Sequence, residues 1–216
     1  MEHKMISIAD QVFEVLELNI LSGQYERGEL LTEIKLSEQL GVSRTPIREA
    51  LRRLEQEHII ESTSKGVKVI GISREDIADI CAIRLRLEGL AARWAAERAD
   101  ESGIAQLKEI VELQEFYTQK EDPDSIKNAD SRFHQTIYAL CGSNCMRDTL
   151  EPLHRKLLKY RRVSVSRQSR AQKSLEEHRA IYQAIADHDG EKAERLTVLH
   201  VENARDSILK RERSNA

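Results

Sequence analysis

Aromatic residues are scarce: one Trp, five Tyr and three Phe among 216 residues. Charged residues make up 33% of the chain and apolar residues 40%, a balance that suits a soluble, mostly helical protein. No apolar run approaches the roughly 20 residues a membrane helix needs, so nothing is expected to span a bilayer. The opening MEHKMISIADQ lacks the apolar core of a signal peptide, and a cytoplasmic protein is expected. Cysteine is nearly absent. Cys81, Cys141 and Cys145 form no zinc-finger spacing, and their odd count reads as reduced thiols. Cys141 and Cys145 are i,i+4 neighbours on a helix and are expected only to pack. An excess of positive charge is missing too: 34 Lys and Arg face 37 Asp and Glu, a net charge of −3. That excludes a generally basic protein that coats DNA.

What is present is a patterned stretch from Lys35 to Gly66. A short amphipathic run, Glu33 to Leu40, meets a turn at Gly41-Val42, where glycine tolerates a sharp reversal. Ser43 is a suitable N-cap for a second helix, and Pro46 falls in its first turn, where a missing N–H costs little. Apolar residues recur at Ile47, Ala50, Leu51 and Leu54, a stripe that must be buried. Arg44, Arg48 and Arg52 recur every four residues on another face, with Thr45 beside the first. Arginines spaced by four can be only a solvated helix face. Here the turn, cap, arginine face and following hairpin stand in the order of a helix-turn-helix, whose second helix enters the major groove. Arginine's planar fork grips guanine or phosphate through two bonds, and hydroxyls near a helix N-terminus suit phosphate. Ile59-Ile60-Glu61 and Val67-Lys68-Val69 read as two short strands joined by Ser62 to Gly66, a wing with Lys65 at its tip. The candidate DNA-binding residues are Ser43, Arg44, Thr45, Arg48, Arg52, Lys65 and Gly66. Through Ile72 there are nine Lys/Arg against twelve Asp/Glu. Binding therefore rests on local placement, with Arg53 adding to the charge of the helix. Modest non-specific affinity and clear salt dependence are expected.

SRTPIREALRRLEQE followed by a Lys-Gly wing resembles the winged-helix domain of the GntR family of bacterial transcription regulators. The lead-in GQYERGELLTEIKLSEQLG matches that family in spacing. It departs by carrying Arg27-Gly28 where a Pro-Gly is usual, and Ile34-Lys35 where some members place an Arg.

The texture changes after the linker Ile70-Gly71-Ile72. Ser73 with Asp76 makes a capping box. The run to Ala99 is apolar on more than one face and is expected as one helix, or two broken near Glu88-Gly89. Further helices are expected over Ile104–Thr118, Ser125–Leu140, Cys145–Val163, Ala171–Asp187 and Glu191–Arg211. The breaks are Glu121-Asp122-Pro123, Gly142-Ser143-Asn144, Ser164 to Arg170, and Asp189-Gly190. No strand pattern follows Val69. The expected fold is mainly α: a winged helix-turn-helix with a small β-hairpin over residues 1–72, then an all-helical bundle over 73–216.

Within the bundle, Asp130 and His134 share one helix face at i,i+4, while His178 and His200 come from two later helices. One carboxylate and three imidazoles can close around a divalent transition ion, zinc first, with nickel, manganese and iron as alternatives. Spacing alone leaves this open. A lone histidine on a helix is more often a core or surface residue than a ligand, and His3, His58, His154 and His188 compete. Residues 73 to about 210 resemble the FCD ligand-binding domain of the FadR subgroup within GntR. ADSRFHQTIY, EEHRAIYQAI and VLHVENA carry the resemblance, and it places Asp130, His134, His178 and His200 on the four metal positions. It also places Arg84 of IRLRLEG near a ligand pocket. A guanidinium beside a metal suits a small carboxylate; a salt bridge from Arg84 to Glu88 is the equal alternative. Tyr138, Tyr182 and Asn203 could line the pocket.

The function expected is a homodimeric repressor that binds a double-stranded operator and responds to a small organic acid. Two alternatives stand beside it. One is a sensor in which the ion itself is the effector. The other is a metalloenzyme, disfavoured because no HExxH and no second carboxylate at helical spacing supplies a general base.

Overall fold

The computed structural model describes residues 7–158, 160–161 and 168–214. Contacts divide the chain into two compact units, Met1–Ser73 and Arg74–Ala216.

In the first unit, α1 (Ile8–Ser22) starts at an N-cap Ser7 that accepts from the Asp10 N–H and ends at Gly23, which is left-handed at φ 83°. Val12, Leu16 and Ile20 are buried as their spacing requires, whereas Val15 on the flank is 42% exposed. β1 (Leu30–Leu31) precedes α2 (Glu33–Leu40) and α3 (Arg44–Gln56). Gly41 makes the reversal between those helices with φ 66°. Ser43 has N-cap geometry, but its side chain makes no cap hydrogen bond. The stripe Ile47, Ala50, Leu51 and Leu54 is buried against α1 and the sheet.

β2 (Ile60–Thr63) and β3 (Gly66–Val69) form the hairpin, and the three strands lie in the antiparallel order β1-β3-β2. The turn is tighter than the expected Ser62–Gly66: Thr63 pairs with Gly66, leaving Ser64 and Lys65 at the tip. β1 was not expected. Two residues are too few to show a period, and only Leu30 and Leu31 lying opposite Lys68 and Val67 makes them a strand. Gly66 sits where β1 meets β3. Its φ is 137°, and a Cβ there would come within 2.4 Å of the Leu31 carbonyl oxygen, so the wing requires glycine at this point.

The second unit is helical throughout its described residues. α4 (Arg74–Arg98) runs unbroken through Glu88-Gly89. Glycine there serves proximity: a Cβ would lie 2.7 Å from Val198 Cγ2 on the last helix. α5 (Glu101–Gln119) and α6 (Pro123–Leu140) begin earlier than expected because Asp100 and Asp122 cap them, with Pro123 in the first turn. α7 (Asn144–Lys156) stops well before the expected end at Val163, which lies outside the described residues. Its last turn carries Arg155 and Lys156, cations that favour a helix C-terminus. α8 (Gln168–Ala186) begins inside the expected break, whose residues 164–167 lie outside the described ones. Gln168 donates to the Thr118 carbonyl at 3.2 Å and anchors that first turn. α9 (Gly190–Ser214) packs most extensively on α4. Cys141 is buried as expected, but Cys145 is exposed and does not pack. No helix of the described residues is long and apolar enough to cross a membrane.

Candidate functional site

The first unit presents one face of α3. Ser43, Arg44, Thr45, Arg48 and Arg52 are exposed there, and Lys65 is exposed at the hairpin tip. The stripe that buries Ile47 and Leu51 turns Arg44 and Arg48 outward, with 57% of each side chain exposed. A cleft of about 300 Å³ between α3 and the wing is lined by Arg48, Arg52, Gly66 and Glu33, among others. Glu33 was missed by the sequence reasoning. It follows the α2 N-cap Thr32 and accepts from both Arg44, Nη2 at 2.9 Å, and Arg48, Nη2 at 2.8 Å. Those two donors, Arg48 foremost, hold its carboxyl down at about 2. Arg53 does not join the DNA face. It pairs with Asp10 at 2.6 Å and stacks over the Phe13 ring at 4.1 Å, both on α1.

In the second unit, Asp130 and His134 on α6, His178 on α8 and His200 on α9 are all buried. Their ligand atoms lie within 4.8 Å of one another. His200 Nε2 stands 3.2 Å from His134 Nε2 and 3.3 Å from His178 Nε2, and Asp130 Oδ1 is 3.6 Å from His178 Nε2. The opposite nitrogens face oxygens. His178 Nδ1 meets Gln114 Oε1 at 2.7 Å, His200 Nδ1 meets Glu177 Oε2 at 2.7 Å, and His134 Nδ1 lies 3.1 Å from Glu88 Oε2.

These acceptors put the imidazole protons on Nδ1 and leave three Nε2 lone pairs converging beside a carboxylate. Such a cluster is repulsive unless a cation sits within it. Four donors around a tetrahedral ion at about 2.0–2.1 Å lie roughly 3.3 Å apart, which is the spacing of His200 Nε2 from the other two Nε2 atoms. The residues fit a divalent transition ion. Electrostatics agree. Burial, and then its neighbour His200, pushes His178 well below the usual histidine range; burial also lowers His200. Burial alone would raise Asp130, but Arg161 and the three imidazoles outweigh it and hold the carboxyl far below normal.

Arg84 makes the salt bridge that was one of its two expected roles. It is buried and ion-paired to Glu88, and it also lines the cavity beside the four ligands. Asn203 donates to Glu177 at 2.8 Å rather than to the cavity. Tyr182 packs with the apolar core, and Tyr138 is buried beside Glu88. His154, treated as a competitor, lies with its ring 4.7 Å from that of His134 and tilted by 42°, and neither of its nitrogens has a hydrogen-bond partner among the described residues. Gln114, Glu177, Arg161 and Arg170 were all missed. Only Glu177, next to His178 in sequence, stood near a recognised residue, and nothing in the sequence says that it reaches His200.

Residues 8–69 match the bacterial regulatory proteins of the gntR family, and residues 79–203 match the FCD domain. The chain belongs to the FCD-domain regulators of the GntR family. It is similar to the HTH-type transcriptional repressor RspR of Escherichia coli K12, at 26% identity over 97% of this chain and 92% of the relative. It is also similar to the galactonate operon transcriptional repressor of that bacterium, at 26% identity over 88% of this chain and 91% of the relative. The solved E. coli McbR/YncC superposes with a TM-score of 0.83 at 24% identity, covering 96% of this chain and 99% of that one, and shares the fold. The GntR-FCD regulator described here is a transcriptional regulator and not an enzyme.

Proposed function

We propose that this regulator is a homodimeric repressor whose hold on a pseudo-palindromic operator is set by a small carboxylate bound at a metal centre. Residues 1–72 read DNA. Arg44, Thr45 and Arg48 face base edges, while Ser43, Arg52, Lys65 and the Gly66 backbone take phosphate or the minor groove. Residues 73–216 hold the ion and the effector and join the two copies. Asp130, His134, His178 and His200 hold a divalent ion (zinc, nickel, manganese or iron), which supplies an electrophilic centre for a carboxylate oxygen. Arg84 receives the rest of the acid. The convergence of three Nε2 lone pairs on Asp130 carries this reading. The galactonate operon repressor is named for a sugar-acid operon, which suits an acidic effector. Operator DNA places the protein in the cytoplasm.

The coupling demands that the acid bind the two DNA-affinity states unequally. Operator affinity of chelated, zinc-loaded, and zinc-plus-acid protein tests it. A change only when acid joins zinc supports the reading; identical affinity in all three overturns it. A second reading, the ion as sole effector, is favoured by the cavity of about 20 Å³ beside the ligands, which has room for an ion or a single water. Under that reading zinc alone changes operator affinity and acids add nothing.

A further inference from the structure

Three guanidiniums line the chamber beside the four ligands: Arg84, Arg161 and Arg170. Each is matched by one carboxylate. Arg84 pairs with Glu88, Arg161 with Asp130 and Arg170 with Glu177. Among the described residues, three positive charges against three negative leave the chamber neutral when its imidazoles are neutral.

The three pairs are not equivalent. Glu88 and Glu177 face Nδ1 atoms at the outside of the imidazole cluster. Asp130 alone points an oxygen among the Nε2 atoms. An ion bound there and Arg161 compete for one carboxylate. Arg161 is 6% exposed, and its Nη1 has no hydrogen-bond partner among the described residues. Its Nη2 holds Asp130 Oδ2 and reaches Ser131 Oγ at 3.1 Å. With Arg161 in that position the cavity measures about 20 Å³, too small for an organic acid.

We propose that Arg161 is a displaceable counter-charge that releases Asp130 to the ion and then closes on the effector, which is a dicarboxylate. The proposal rests on the metal-and-acid reading above and adds its charge class and its second anchor. A divalent ion raises the neutral chamber to +2. Two negative charges restore neutrality, and uncompensated charge in a buried site is costly. One carboxylate lies between the ion and Arg84. The other meets the guanidinium fork of Arg161, for which it is the natural two-bond partner. Withdrawal of Arg161 from Asp130 also opens the space the acid needs. A monocarboxylate leaves one positive charge unmatched.

The test uses metal-free, full-length protein titrated with Zn²⁺ against a chromophoric chelator. The zinc-loaded protein is then titrated by calorimetry with succinate and with butyrate, which differ by one carboxylate. Wild type is expected to bind Zn²⁺ and to prefer succinate by at least about tenfold, the scale of one charged hydrogen-bonding pair. Arg161→Gln removes the competitor for Asp130. It is expected to bind Zn²⁺ more tightly without acid, by about tenfold on the same scale, and to lose the preference for succinate. Unchanged zinc affinity, or a preference retained in Arg161→Gln, overturns the proposal and leaves the metal reading standing. Wild type that takes no zinc overturns both. Should the variant not fold, wild type decides alone: at equal concentration succinate must raise zinc affinity more than butyrate does, by reciprocity. Equal effects of the two acids overturn the proposal.

Discussion

Arg48 grips Glu33 with two hydrogen bonds, Nε to Oε1 at 2.9 Å and Nη2 to Oε2 at 2.8 Å. Arg44 shares the same carboxylate through Nη2 at 2.9 Å. One residue of α2 thus sets the pose of both arginines on α3 and occupies the edges with which they would read a base. Operator contact requires Arg48 to exchange Glu33 for guanine or phosphate, or to use the nitrogen that Glu33 leaves free.

Glu33→Gln removes that competition. Both arginines then meet any duplex more readily, because a mobile cation serves phosphate without regard to sequence. Non-specific affinity is expected to rise and the ratio of operator to non-specific binding to fall. Anisotropy titrations with operator and scrambled duplexes check this; an unchanged ratio removes Glu33 from the reading head.

Arg48→Ala tests the recognition helix directly. A loss of about 1–3 kcal/mol is expected on the operator if Arg48 reads a base, with relaxed discrimination at one position. A uniform loss across sequences, with a salt slope reduced by about one, assigns it to phosphate instead. No loss on either duplex excludes it from the interface.

Glu33 also predicts a pH dependence. Its folded-state value of about 2 lies below the ordinary 4.5 because Arg48 and then Arg44 donate to the ionised form. A depressed carboxyl contributes stability above its unfolded value, and the contribution disappears as pH falls from about 4.5 toward 2. Wild type is expected to exceed Glu33→Gln in stability at pH 7, by about 1 kcal/mol or less for a pair this exposed. Denaturant melts at both ends of that window check it: the gap must close toward pH 2.

Zinc should stabilise the helical unit. At a hundredfold excess over Kd, a ligand of the folded state alone contributes about 2.7 kcal/mol. Thermal melts of chelated and zinc-supplied protein are expected to separate accordingly. His134→Ala should abolish the separation, because His134 lies between Glu88 and the other ligands. A full zinc shift in that variant would disqualify the site.

Gly66→Ala places a methyl against the Leu31 carbonyl at a φ side chains rarely adopt. A loss of about 1–3 kcal/mol from the first unit is expected, the usual cost of a residue held in strained backbone. Retained stability would mean that β1 can leave β3 without penalty.

Much of the first unit was legible because its signals are local. The period of Ile47, Ala50, Leu51 and Leu54, the Gly41 reversal and the Gly66 turn each lie within a few residues of what they control. The missed parts there, β1 and the Glu33 bridge, depend on residues 11 to 38 positions apart in the chain. Arg53 was misjudged for the same reason: its partners on α1 lie some forty residues upstream.

Composition, helical periodicity and short motifs determined the mainly helical fold and the winged helix-turn-helix, since each resides in one segment or one recurrent residue type; Asp130, His134, His178 and His200 were singled out as a candidate set only by the resemblance to the FCD domain, spacing alone leaving them open. Only tertiary structure decided that Gln114, Glu177 and Glu88 orient those imidazoles, and that Arg161 holds Asp130 across 31 positions. The physical reason is that a buried charge acquires its partner from whichever helix packing brings beside it. A single glutamate, arginine or glutamine carries no mark of that among its neighbours in sequence.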